Sequence, residues 1–430
     1  MPVAFCGTLI PAIAIVQPFK QCKKHNSTRL ITMPKPHARL PFFLASQSCT
    51  TLSYQMLVVA FGWQVYALSH SVLNLGLIGL AQFLPQLCLT LIVGHAADRF
   101  ERRRIASLFQ LLQAMSAIAL ALACLLGRES LPLIFGAAAF TGMCRAFEAP
   151  SMQALLPSLV AENELSRSLA MAASARQTAV IVGPALGGLI YALGAPVAYL
   201  ACALAYLAAA AWLQRLPSGV KKPSAQAVSL QSAFAGVRFI RQKPVILGAI
   251  SLDLFSVLLG GATALLPVYA RDILHTGPWG LGLLRTAPAI GALGMSLYFS
   301  RRPLTRHIGR KMGRAVALFG ATTILFGVSR WLPLSLVCLV VLGATDMISV
   351  VVRSTLIQLE TPDEMRGRVS AVNFIFIGTS NQLGEFESGL TAAWFGTVPA
   401  VVLGGVGTLL VVALWRRWFP ALFARDRFSA

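Results

Sequence analysis

Between Pro41 and Pro420 the chain repeats one pattern: apolar runs of about 20 residues, each followed by a short polar connection. A run of that length crosses the hydrocarbon layer as a helix. A spanning strand would need only about 10 residues and a strict in-out alternation, and these runs do not alternate, so helices are expected and a barrel is not. The pattern predicts spans near 42–67, 72–94, 105–127, 131–158, 169–191, 195–214, 244–270, 279–299, 314–330, 333–358, 369–391 and 396–418. The expected fold class is an all-α membrane protein, with twelve transmembrane helices in two pseudo-symmetric six-helix bundles.

Five blocks follow from this pattern: an N-terminal extension over 1–40, a six-helix bundle over 41–214, a polar central loop over 215–243, a second six-helix bundle over 244–419 and a tail over 420–430. Residues 1–32 contain a short apolar stretch broken by prolines, without a basic leader, which suits neither a span nor a secretory signal. Met33 opens "MPKPHARLPFF" and is expected to be the true start, the preceding residues being dispensable. The two bundles echo each other. A constant shift of 201 carries Gly142 onto Gly343, Glu162 onto Asp363, Arg167 onto Arg368, Ala170 onto Ala371, Gly183 onto Gly384 and Gly188 onto Gly389. A shared register over such a stretch implies parallel repeats about an axis along the membrane normal.

Composition agrees: 56% of residues are hydrophobic, 12% are charged, and the mean hydropathy is +0.71. A net charge of +21 would suggest nucleic acid in a soluble chain. Here Arg99, Arg102, Arg103, Arg104, Arg167, Lys221, Lys222, Arg301, Arg302, Arg306, Arg310, Lys311, Arg366 and Arg368 occupy alternate connections, and the opposite ones hold only Arg128, Arg271 and Arg330. That is how basic residues fix topology. Both termini and the central loop are therefore expected in the cytoplasm, and the lipid bilayer rather than nucleic acid is the partner. The eight cysteines form no CxxC pair and imply neither a metal site nor a disulfide framework.

The connection "GHAADRFERRRI", Gly94 to Ile105, reads G-x-x-x-D-R-x-x-R-R. It resembles the signature loop of the major facilitator superfamily between the second and third spans: Gly94, Asp98, Arg99, Arg102 and Arg103 match, and Glu101 stands where the family's usual form has glycine. The resemblance extends over residues 40–420 through the six-plus-six layout. It implies that the loop latches the two halves on the cytoplasmic side in one state, with Asp98 near the start of the eleventh span, around Gly367 to Ser370. The plainer reading is that the arginines only set topology. In the fifth span, Gly183, Pro184, Gly187 and Gly188 resemble the GPxxGG motif of the family's exporting antiporters; taken alone, these residues say that a helix is thinned so that a neighbour can pack closely. The stretches "SLDLFSVLLGGATALLPVYARDIL", "TPDEMRGRVSAVN" and "GEFESG" are similar to the branch of enterobactin and drug exporters.

A charge at the bilayer centre costs roughly 2.5 to 3.5 kcal/mol and needs a partner or a watery cavity. Arg145, Glu148, Arg176, Asp253, Arg285, Asp346, Arg353, Glu385 and Glu387 all fall inside predicted spans. Arg145 and Glu148 share a helix face, as do Asp346 and Arg353. The family layout implies that the first, fourth, seventh and tenth spans line a central cavity. Asp253, Arg145, Glu148, Asp346 and Arg353 would then form a partly ion-paired site for a small-molecule substrate, with Gln47, Thr51, Tyr54 and Gln55 adding hydrogen bonds and an aromatic face. Permanent salt bridges fixing the bundle are the alternative. No histidine lies within a predicted span, so carboxylates would carry protons, Asp253 first and Glu148 second.

No metal spacing, G-x-S-x-G, P-loop or nucleotide-binding domain is present, so neither enzyme chemistry nor a cofactor is expected. The chain reads as a secondary active transporter of a bacterial inner membrane. The favoured form exports a small organic molecule, siderophore or drug-like, by proton antiport, and a monomer suffices. Import or proton-independent facilitation, and a transport-inactive receptor or scaffold, remain open at the level of sequence.

Overall fold

The computed structural model describes residues 39–96, 101–216 and 230–428. The N-terminal bundle is α1 (Leu40–Ser69), α2 (Val72–Ala96), α3 (Arg102–Leu125), α4 (Leu131–Leu159), α5 (Leu165–Tyr191) and α6 (Ala195–Gln214). A short helix, α7 (Leu230–Gln242), precedes the C-terminal bundle. That bundle starts with α8 (Pro244–Leu259), which runs through a 3-10 turn (Ala262–Leu265), α9 (Leu266–Val268) and a π turn (Tyr269–Ile273). It continues with α10 (Gly277–Arg301), α11 (Ile308–Val328), α12 (Leu332–Glu360), α13 (Asp363–Phe395), α14 (Thr397–Trp418) and the short α15 (Pro420–Ala424).

Local chemistry sets these limits. Proline stands in the first turn of α1, α4, α6, α8, α10 and α12, where its missing N–H costs nothing. Asp363 and Glu364 lie in the first turn of α13 and Arg416 and Arg417 in the last turn of α14, each complementing the helix dipole. Gly194 and Gly396, with φ of 125° and 89°, make the corresponding tight entries into α6 and α14.

Two features differ from the sequence reading. The seventh span is not one continuous helix. It breaks at Gly260 and Gly261 because α13 comes within contact of the backbone there: a Cβ on Gly261 would lie 2.5 Å from the Gly384 carbonyl. The stretch 215–243, read as a polar connection, carries α7 in its second part. α7 buries Ile240 in a cluster with Ile246, Ile250, Ile357 and Val372.

Nine of the helical segments, among the described residues, are long and apolar enough to cross a membrane on their own. Three long helices fall outside that set, α1, α4 and α13, and they carry many of the polar and charged groups described below. Within the N-terminal bundle α1 packs on α5 and α6, α3 on α4 and α6, and α2 on α4; in the C-terminal bundle α10 packs on α12, α11 on α12 and α14, and α13 on α8 and α14. The two halves join through α5 against α10 and α2 against α13.

The repeat reappears as packing. A Cβ on Gly142 of α4 would lie 1.8 Å from the Gln82 carbonyl of α2, and one on Gly343 of α12 would lie 1.9 Å from the Pro288 carbonyl of α10. Gly183 is pressed against Gln55 of α1 as Gly384 is against Leu258 of α8. Gly188 meets Pro278 and Gly282 across the interface between halves, as Gly389 meets Gly76. Each position requires glycine because a neighbouring helix occupies the space a side chain would take, with its backbone in every case but Gly183, where the Gln55 Cβ is nearest.

Candidate functional site

In the C-terminal half the charges converge on α8 and α12. Asp253 and Arg353, 5% and 2% exposed, form an ion pair between the two helices, and the Ser349 hydroxyl donates to Asp253 Oδ1 at 2.6 Å. Arg353 Nε is buried without a partner. Asp346 lines the same small cavity as Asp253 and Ser349. The structure thus joins Arg353 to α8 rather than to Asp346, its partner by helix face. Seven residues is two helical turns, about 10.5 Å along the axis, which is too far for direct contact, whereas α8 lies alongside. Among the described residues Asp346 takes part in no ion pair or hydrogen bond, and it is only half-buried.

In the N-terminal half the Arg145 guanidinium lies over the Tyr54 ring, 3.6 Å from its centroid. Such a stack is favourable by about 0.5 to 2 kcal/mol. Glu148, one turn along α4, is 4% exposed and faces Gln113 of α3. No ion pair within 4 Å joins it to Arg145. The Tyr206 hydroxyl beside them is buried and unpartnered. Of the other α1 residues, Thr51 is half-buried, Gln47 has a buried, unpartnered Oε1, and Gln55 reaches the Val180 carbonyl of α5 at 3.5 Å, so it fastens α1 to α5.

A third group lies between the halves. Arg285 of α10 is within electrostatic reach of Glu385 of α13 and of Tyr54, and its Nε is buried without a partner. Glu385 Oε2 lies 2.9 Å from where a Cβ on Gly79 would stand, so the carboxylate rests on α2. Glu387 accepts a hydrogen bond from Thr391 of its own helix at 2.8 Å, and Arg176 on α5 is exposed. Gly183, Pro184, Gly187 and Gly188 are all buried. They act as contact surface: Gly183 and Gly187 against α1, Gly188 against α10, with the Pro184 carbonyl against Gly282.

These contacts between halves occupy one end of the molecule. They use residues 76–79 of α2, 385–389 of α13, 181–188 of α5 and 278–286 of α10, all toward the arginine-poor connections. At that same end the Tyr66 hydroxyl donates to Asp272 Oδ2, and Arg271 lies 5.9 Å from the Tyr66 ring. Tyr66 belongs to α1 and Asp272 to the π turn, so this bond also spans the halves. Neither residue stood out in the sequence. Only the break in the seventh span brings Asp272 round to α1.

Of the signature loop, Asp98 and Arg99 lie outside the described residues, as does any contact of Asp98 with α13. Gly94 falls within α2. Arg102 and Arg103 bind their own half: Arg102 Nη1 donates to the Ala154 carbonyl of α4 at 3.0 Å, and Arg103 Nη1 to the carbonyls of Leu216 and Gln214 at the end of α6. There the guanidinium meets carbonyls that a helix C-terminus leaves free. Glu101, the departure from the family pattern, bridges Arg103 at 3.4 Å and Arg104 at 2.7 Å. The corresponding loop in the second half lacks an aspartate in sequence but gains one from the tail: Asp426 Oδ1 accepts from the His307 backbone N–H at 3.1 Å, at the start of α11. Arg425 pairs with Glu360 at 2.9 Å. Among the described residues, no cluster of three or more His, Cys, Asp or Glu could hold a metal.

Two six-helix bundles related by a repeat, with buried charges in both and, among the described residues, close contact at the end toward the arginine-poor connections, define a polytopic membrane carrier rather than an enzyme. The model of the Major Facilitator Superfamily matches residues 43–384, and the chain belongs to that family. It is 26% identical over 395 residues to the enterobactin exporter EntS of Citrobacter koseri, covering 89% of this chain and 92% of that protein. The same identity holds over 396 residues with the enterobactin exporter EntS of Escherichia coli O139:H28, at the same two coverages. In fold it is similar to a bacterial homolog of the human lysosomal transporter Spinster in its inward-facing, unoccupied conformation, with TM-score 0.68, 12% identity and coverage of 91% and 97% of the two chains. A bacterial homologue of the iron transporter ferroportin in its inward-facing state gives TM-score 0.67 at 16% identity, covering 90% and 99%.

Proposed function

We propose that this transporter exports a small organic molecule, siderophore or drug-like, from the cytoplasm across a bacterial inner membrane by proton antiport. One observation carries the direction: the similarity to enterobactin exporters runs through 89% of the chain, both halves included. The geometry supports alternating access. With the arginine-rich connections in the cytoplasm, the contacts between halves lie at the outer end, so the site is reached from inside, where an exported compound is loaded. Both termini are then cytoplasmic, and one chain supplies every part of the pathway.

Proton coupling is assigned to the carboxylates of the C-terminal half. Asp253 is held by Arg353 and Ser349, while Asp346 in the same cavity has no such partner. A proton arriving at Asp346 removes the second negative charge near Arg353; one arriving at Asp253 releases the guanidinium. Either event changes how α8 and α12 are tied together. The latch role of Asp98 belongs to the same reading, as the inner counterpart of the contacts at the outer end.

The test begins with a knockout, comparing secreted metabolites and sensitivity to a panel of toxic compounds, to find the exported molecule. That molecule is then followed in inside-out vesicles. An inward-acidic gradient is expected to drive its accumulation, and Asp253→Asn to abolish the gradient dependence. Accumulation that ignores the gradient refutes antiport, and accumulation in right-side-out rather than inside-out vesicles refutes export.

A further inference from the structure

We infer that the central cavity takes an organic anion, held between guanidiniums from opposite halves, Arg145 of α4 and Arg285 of α10, around the Tyr54 ring. The inference rests on the carrier reading above and adds the chemical class of the cargo.

Three arginines within the spans approach the middle of the molecule, and they differ in what satisfies them. Arg353 has a carboxylate in direct contact. Arg145 has an aromatic face at 3.6 Å and, among the described residues, no ion pair within 4 Å, although Glu148 is within electrostatic reach. Arg285 has no ion pair within 4 Å and a buried Nε without a partner, although Glu385 and Tyr54 are within electrostatic reach. A guanidinium presents five N–H donors in a planar fork suited to carboxylate, sulfonate or phosphate. Two such forks, one stacked on the Tyr54 ring and the other within electrostatic reach of it, form a receptor for an anion.

The nearby carboxylates come within electrostatic reach of the two guanidiniums but close no ion pair within 4 Å with either. Glu148 is 4% exposed and turned toward Gln113 of α3. Glu385 rests against Gly79 of α2 and next to Gln382, and lines a small cavity together with Arg285 and with Val58, Phe61 and Gly62 of α1. Tyr54 and Arg145 come from the N-terminal half and Arg285 from the C-terminal half, so an anion bridging them makes contacts that exist only while the outer end is closed. Cargo of this class would thus favour the inward-open arrangement that loads it.

The test uses two small thiol reagents of opposite charge on Thr51→Cys, one turn from Tyr54 on α1, in nanodiscs open to both faces. The sulfonate reagent 2-sulfonatoethyl methanethiosulfonate and the cationic 2-(trimethylammonium)ethyl methanethiosulfonate are each normalised to their rate with free cysteine. Modification is read at the residue-51 peptide by mass spectrometry, so native cysteines do not interfere. The anionic reagent is expected to be favoured roughly tenfold or more, as fields in a cleft of one sign produce. Arg145→Gln and Arg285→Gln are each expected to bring the ratio toward one, and Arg145→Lys to keep most of it. Gln47→Cys serves as a second reporter should Thr51→Cys fold poorly. Equal normalised rates, or faster reaction of the cation, at a residue that both reagents reach overturn the anion site and leave the carrier reading standing. If neither reagent reaches position 51 or 47 in protein that is otherwise folded, the open cavity is absent and both fall.

Discussion

Tyr66→Phe removes one hydroxyl from the outer contact and leaves everything else in place. The ring stays where it is, so its packing and the approach of Arg271 persist; only the hydrogen bond to Asp272 is lost. A hydrogen bond to a charged acceptor contributes about 1.5 to 3 kcal/mol net. The Tyr66 side chain is 6% exposed, but Asp272 is exposed, so water competes for the carboxylate and the lower limit applies. When the outer end opens, both groups are hydrated and the bond is absent in either variant. The loss is therefore felt by the closed state alone. About 1.4 kcal/mol is tenfold in an equilibrium constant, so the ratio of outer-closed to outer-open molecules should fall by roughly that factor. Nitroxide labels at His70, at the end of α1, and Phe395, at the end of α13, report the separation of the halves at this end by double electron-electron resonance. Tyr66→Phe is expected to enlarge the long-distance population about tenfold relative to the short one, and Asp272→Ala to do the same. The double variant is expected to match either single change, because the two substitutions delete one interaction. An unchanged distance distribution in Tyr66→Phe, or a double variant whose effect is the sum of both singles, refutes the assignment of this bond to the gate.

Three further predictions concern stability. Gly142→Ala and Gly343→Ala should each cost about 1 to 3 kcal/mol by forcing two helices apart, while Gly136→Ala, with open space around it, should cost little; thermal denaturation followed by size-exclusion chromatography ranks them. Arg353→Gln or Asp253→Asn alone leaves a buried group uncompensated, a loss of about 3 to 5 kcal/mol, and the double variant should regain most of it; a double variant no more stable than Arg353→Gln would show that the pair is not the unit. Asp426→Ala removes a charged acceptor at the start of α11 and should lower stability by about 0.3 to 1 kcal/mol, an effect that added salt should reduce because His307 and Asp426 are about half exposed.

The helices were legible because burial in lipid demands long apolar runs, and the repeat was legible because glycine is irreplaceable where backbones touch. The signal is weakest where a helix faces the interior: α4 combines prolines, charges and small residues, α13 combines charges and small residues, and their limits follow from caps such as Ser130 and Pro362 rather than from hydropathy. α13 begins six residues before the apolar run that marks it, and α11 begins six before its own. The site was half legible. That Arg145, Asp253, Asp346 and Arg353 lie in the interior follows from the cost of putting them elsewhere. Which of them pair does not, because pairing depends on which helices are neighbours. A face shared within α12 suggested Asp346 with Arg353; the neighbouring α8 decided for Asp253. Tyr66 with Asp272, and Asp426 with α11, were out of reach for the same reason, since each joins segments more than 100 residues apart.

Packing obeys the repeat, but charge does not. Gly282 and Gly76 face α5 and α13 respectively, and the Pro288 and Gln82 carbonyls meet Gly343 and Gly142, so α10 follows α2 at an offset of 206. That offset puts Arg285 at the place of Gly79, and the shift of 201 puts Glu385 at the place of Pro184. At the α2 and α13 seam a glycine receives a glutamate; at the α5 and α10 seam the same two places hold an arginine and a proline. Likewise Arg145 corresponds to Asp346, opposite in sign. A duplicated scaffold would rock just as well with equivalent charges in both halves, so symmetry of motion does not account for the difference. On the proposed reading division of labour does: Arg145 and Arg285, without an ion pair within 4 Å among the described residues, serve the cargo near Tyr54, and Asp253 and Asp346 serve the proton between α8 and α12. Cargo and proton can then act on different helices of one rigid frame, each biasing the same equilibrium between its two ends. Grafting the second half's charge onto the first, Arg145→Asp, should therefore reverse the reagent preference at residue 51 while leaving the helix packing that Gly142 defines intact.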